Sequence, residues 1–81
     1  SEDYFILKLL FSRDDLSEQA DFSVIARDIV KEEYHGDKQR YFKACKRLNE
    51  KIAKQTNNKV LNFLKYSSGK SGWCNINLDY L

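Results

Sequence analysis

The run from Asp37 to Lys54, DKQRYFKACKRLNEKIAK, constrains this chain more than any other stretch. At ~100° per residue it divides into two helical stripes. Tyr41, Cys45, Leu48 and Ile52 recur at i, i+4, i+7 and i+11, with Ala44 at their margin, and make a core-facing stripe. Arg40, Lys43, Arg47, Lys51 and Lys54 recur at i, i+3, i+7, i+11 and i+14 and make a second stripe, with Lys38 and Lys46 flanking it. Glu50 is the one acid in the helix body, against seven bases. It stands four residues before Lys54, the favourable order for an ion pair along a helix. An ordinary solvated helix face mixes charges of both signs. A face this one-sided is suited to a polyanion.

The chain has 81 residues, which points to one small domain. Five Phe, five Tyr and one Trp supply the large side chains that a core of this size needs. With no Pro and three Gly, no linker-like stretch divides it. The net charge of +2 hides a bipolar distribution. Residues 1–37 carry ten acids and four bases, whereas residues 38–81 carry ten bases and two acids. One side of the molecule is therefore expected to be strongly basic.

Cys45 and Cys74 are too few for a disulfide scaffold, and with His35 as the one histidine no four-ligand metal set exists. Both are expected as small buried hydrophobes, in preference to a Cys45–Cys74 bond. No basic n-region precedes an apolar run, and no stretch approaches the ~18 apolar residues that span a membrane. The expected location is the cytoplasm. Helix signals begin by the fourth residue, so the chain reads as a domain cut from a longer protein.

Taken in order, Ser1-Glu2-Asp3 acidify a helix start. Tyr4–Phe11, YFILKLLF, is apolar at seven of eight positions and predicts a central core helix over 3–12. Ser12–Asp21 is polar and acidic. Asp15 with Glu18 mimics a capping box and could start a short helical turn; otherwise the segment is a loop with a brief strand near Ala20 and Phe22. Phe22–Tyr34 predicts the second helix, with Phe22, Ile25, Ala26, Ile29 and Val30 on one face and Ser23 as N-cap. Gly36 is placed to end it in a left-handed conformation, and Asp37 to cap the basic helix over 38–54. Two helices joined so tightly make a helix-turn-helix. Gln55–Asn58 should end the basic helix. Val60–Tyr66 and Trp73–Tyr80 predict the strands of a hairpin, the second alternating Cys74, Ile76, Leu78 and Tyr80 against Trp73, Asn75, Asn77 and Asp79.

Helix, acidic connection, helix, tight turn, basic helix and β-hairpin follow one another in an order that resembles the winged helix-turn-helix domains across nearly the whole chain. Arg47-Leu48-Asn49-Glu50-Lys51-Ile52 and Gly72-Trp73 echo the effector domain of response-regulator transcription factors. The N-terminal strands of that subfamily are absent, and the hairpin loop is longer. The expected fold class is therefore mainly α with a C-terminal β-hairpin, a three-helix winged helix-turn-helix.

That resemblance implies sequence-specific binding of double-stranded DNA, as the reader module of a transcription or replication regulator. The basic helix would enter the major groove with its N-terminal half nearest the bases. Gln39, Arg40, Lys43 and Arg47 become the candidates for base edges. Lys38 begins the basic face, and Lys46, Lys51 and Lys54 would hold phosphates. Lys70 at the hairpin tip, with Ser68 and Ser71, would reach the backbone or the adjacent minor groove. The competing reading is a winged helix whose basic face meets an acidic protein. A homodimer, or attachment to other domains of a longer chain, is left open.

Gly69-Lys70-Ser71 has Leu64 where a phosphate-binding loop requires its first glycine, and a strand follows where a helix should. Trp73 is expected to pack under the hairpin rather than stack on a base, and His35 to be structural. No constellation of nucleophile, base and orienting group occurs, so neither an enzyme nor a cofactor is expected.

Overall fold

The computed structural model describes residues 2–31, 38–67 and 72–81. The first helix, α1 (Glu2–Phe11), turns Asp3, Ile6 and Leu10 inward at i, i+3 and i+7. Phe5, Leu7 and Leu9 lie partly buried beside them. Tyr4 and Phe11 are exposed, so the helix is not enclosed all round as its composition suggests. A polar turn follows. Asp15 accepts the Ser17 N–H at 2.9 Å and the Ser17 hydroxyl, which makes an Asx-type turn rather than a helix cap reaching Glu18.

The brief strand near Ala20 is real: β1 (Ala20–Asp21) pairs antiparallel with a strand near the C-terminus. The chain then enters α2 (Phe22–Val24) at once, with Asp21, not Ser23, at the N-cap position. The next residues, Ile25–Val30, widen into a π-helix that closes when the Lys31 N–H reaches the Ala26 carbonyl. Lys31 itself is left-handed at φ 65°. The helix therefore stops at Val30, short of the expected Tyr34. The expected turn at Gly36, the cap at Asp37 and His35 lie outside the described residues.

The basic helix, α3 (Lys38–Gln55), forms over the predicted range. Its buried face carries Tyr41, Ala44, Cys45 and Leu48, with Ile52 half-buried. It ends where Thr56 donates its hydroxyl to the Ile52 carbonyl at 2.7 Å and Asn57 and Asn58 both turn left-handed. Asparagine tolerates that conformation better than most residues.

Both C-terminal strands are shorter than their sequence patterns. The strand β2 (Leu64–Ser67) starts late because Asn62 is left-handed, at φ 52°. Just before it, the Leu61 N–H and C=O are both met by the Tyr80 hydroxyl, at 3.0 and 2.8 Å, where a strand would use a neighbour's backbone. The strand β3 (Trp73–Ile76) stops at Asn77. The Asn77 amide donates to the Asn62 carbonyl at 3.0 Å, and its oxygen accepts the Asp79 N–H at 3.0 Å. Residues Leu78–Tyr80 thus become a 3₁₀ turn with Leu78 and Tyr80 exposed, not strand residues facing the core.

The sheet is three-stranded and antiparallel in the order β1-β3-β2. The expected hairpin is its β2–β3 half, with Leu64 opposite Ile76 and Tyr66 opposite Cys74. Its inner face, Ala20, Leu64, Cys74 and Ile76, closes the core against Ile6, Leu10, Phe22, Ile25 and the apolar stripe of α3. Phe22 stacks on Tyr41 with ring centroids 5.4 Å apart. The described residues are thus mostly helical with a small sheet, and one apolar core joins the two.

Candidate nucleic-acid interface

The site is built from α3 outward. Its apolar stripe is fixed in the core, which leaves two flanks and an outer ridge. One flank faces α1. There Asp3 receives Arg47 Nη2 on Oδ1 at 2.7 Å and Lys51 Nζ on Oδ2 at 3.3 Å. Burial pushes the Asp3 carboxyl up. The hydrogen bonds and charges of Arg47 and Lys51 outweigh that and hold it below its usual value. Arg40, on the same side of the helix, is half-buried with its guanidinium 5.8 Å from the centre of the Tyr41 ring.

The other flank faces the sheet. The Asn49 amide binds Leu64 twice, donating to its C=O at 3.0 Å and accepting its N–H at 2.8 Å. Leu64 is opposite Ile76, and the β2–β3 backbone bond before it runs from the Asn77 N–H to the Phe63 carbonyl at 2.8 Å. The Leu64 peptide groups therefore point away from β3, along the open edge of β2, and Asn49 satisfies them as a neighbouring strand would. Phe42 adds an edge-on contact to Tyr66, with centroids 4.8 Å apart.

Between these flanks, Gln39, Lys43, Lys46, Glu50 and Lys54 stand exposed on one ridge. They are spaced at i, i+4, i+7, i+11 and i+15, one face of an α-helix. The ridge is thus rotated from the stripe read in the sequence. Lys43 and Lys54 belong to both. Arg40, Arg47 and Lys51 belong to the α1 flank, and Gln39 and Lys46 take their place on the outer face. No Glu50–Lys54 pair forms among the described residues. The side chain of Lys38, and all of Ser68, Lys70 and Ser71, lie outside the described residues. Lys65, which the sequence reading passed over, is exposed on β2. The alternation of buried Leu64 with exposed Lys65 is the signal that could have found it.

Trp73 is half-buried on β3. Cys45 and Cys74 are free and fully buried. The hydrogen bond between the two thiols, burial and the nearby charge of Asp3 push Cys45 far above the usual thiol range, which keeps it neutral. Beside the ridge, Asn49, Glu50, Ala53, Leu61 and Asn62 line an open groove of about 320 Å³. Among the described residues no helix is long and apolar enough to cross a membrane. Comparison of the chain with protein-family models, curated proteins and solved structures finds no match.

Proposed function

We propose that this chain is a winged helix-turn-helix module that binds double-stranded DNA sequence-specifically, as the reader of a transcription or replication regulator. The observation that carries the reading is the outer ridge of α3. Lys43, Lys46 and Lys54 are exposed in line with Gln39, on a helix whose opposite face is anchored in the core. An 18-residue helix is about 27 Å long and ~10–12 Å wide, which suits a major groove ~12 Å across. Gln39 and Lys43, in the first turns, are the base-edge candidates, and Lys46 and Lys54 the phosphate contacts. The element order, with β1 completing a sheet around the β2–β3 hairpin, supports the winged-helix reading.

The test is a salt titration with mixed duplex fragments. Three to five phosphate contacts give log affinity falling linearly with log salt, with a slope of about −3 to −5. An acidic protein partner on the same ridge would leave the duplex unbound even at low salt. That outcome removes the DNA reading.

A further inference from the structure

We propose that Asp3 is a positioning residue that withdraws Arg47 and Lys51 from DNA, so that contact is confined to the outer ridge of α3. The inference rests on the DNA-binding reading. Its starting observation is the buried stripe of α1, in which Asp3 occupies the place of an apolar residue ahead of Ile6 and Leu10. A carboxylate in such a place needs compensation. It finds two cations one turn apart on α3, and each of its oxygens takes one of them.

Two consequences follow for DNA. The first is electrostatic: the carboxylate cancels one of the two charges that it binds, whereas among the described residues Lys43, Lys46 and Lys54 form no ion pair. The second is geometric. Reading guanine takes two guanidinium nitrogens acting together, and Nη2 of Arg47 is directed at α1 instead. Yet the Arg47 and Lys51 side chains remain 47% and 65% exposed, so burial alone does not restrain them, and the bonds to Asp3 draw both toward α1. Removing that one charge should return both cations to the phosphate-binding set. Affinity for any duplex would rise, and the advantage of a cognate site would shrink, because phosphate contacts carry no sequence information.

The test measures duplex binding against salt for wild type, Asp3→Asn and Asp79→Asn. The last adds the same net charge at an exposed residue of the 3₁₀ turn. Asp3→Asn should steepen the log–log slope by about one to two and tighten non-specific binding several-fold at low salt. Asp79→Asn should leave the slope unchanged. In an Arg47→Gln/Lys51→Gln background, Asp3→Asn should not alter the slope, which separates release of the two cations from any change in the fold. A wild-type slope kept by Asp3→Asn overturns the positioning role and leaves the DNA reading standing. So does a loss of affinity in Asp3→Asn, which would mean that the carboxylate aims the cations at the duplex. If wild type binds no duplex under any condition, both proposals fall together.

Discussion

Along one edge of α3, charged groups make the attachment: Arg47 and Lys51 converge on Asp3 of α1. Along the other, a neutral amide makes it: Asn49 closes the edge of β2 at Leu64. The two contacts differ in what can replace them. An amide matched to the N–H and C=O of one residue is hard to substitute, because both bonds are held by direction as well as by polarity. A lysine or arginine on a carboxylate can exchange that partner for a phosphate, and salt weakens the attraction. The neutral edge therefore sets how the sheet sits on α3. Under the proposal, the charged edge would set how many cations α3 offers to DNA.

Substitution of Asn49 should have the strongest consequence for the fold. Asn49→Ala removes two hydrogen bonds and leaves the N–H and C=O of a buried strand residue without protein partners. The expected loss is about 2–3 kcal/mol of stability, measured by urea unfolding. Asn49→Asp should also destabilise, because it keeps an acceptor for the Leu64 N–H but sets a carboxylate oxygen against the Leu64 carbonyl. A loss under ~0.5 kcal/mol in both would mean that water replaces the amide at this edge.

On the charged side, Asp3→Asn should cost about 1 kcal/mol at neutral pH. This is well short of the ~3–5 kcal/mol for breaking a fully buried pair, since solvent screens both cations. The pH dependence identifies the source. The folded carboxyl titrates below the usual aspartate value of 3.8. Its contribution is therefore complete above that value and disappears as pH falls through the lower, folded one. The stability gap between wild type and Asp3→Asn should be constant from pH 5 upward and close below about pH 3.8. A gap that persists in strong acid would assign the effect to packing rather than charge. Asn49→Ala supplies the contrast, because its deficit should not depend on pH over this range.

Much of this arrangement was legible in the sequence. The period of Tyr41, Cys45, Leu48 and Ile52 placed α3 to within a residue, since a long amphipathic pattern without a breaker admits little else. Which cations face outward was not legible. A helical wheel separates core from surface, but only the position of α1 divides that surface into flank and ridge. The one available hint was Asp3, an acid at the head of an apolar stripe. The strand ends were misread for another reason. Trp73–Tyr80 alternates as a strand does, but the Asn77 side chain captures the Asp79 N–H and turns the chain. Such side-chain competition with the backbone leaves no mark on hydrophobic periodicity. The π-helix over Ile25–Val30 is similar, because the apolar pattern of Phe22, Ile25, Ala26, Ile29 and Val30 in the sequence reads equally well as an α-helix.

The smallest expected effect lies on the ridge itself. Lys54 is exposed and lies far along α3 from the base-edge candidates. Lys54→Ala should therefore change stability by less than ~0.5 kcal/mol, as surface substitutions usually do. It should weaken all duplexes about equally and lower the salt slope by roughly one. Lys51→Ala, one turn closer to the helix start but committed to Asp3, should do the reverse: a measurable loss of stability with little change in slope. Measured side by side, the two lysines decide whether the division of α3 into a structural flank and a binding ridge is real. If Lys51→Ala flattens the slope as much as Lys54→Ala does, the cations held by Asp3 reach the phosphates as well, and the ridge is only the middle of a wider basic surface.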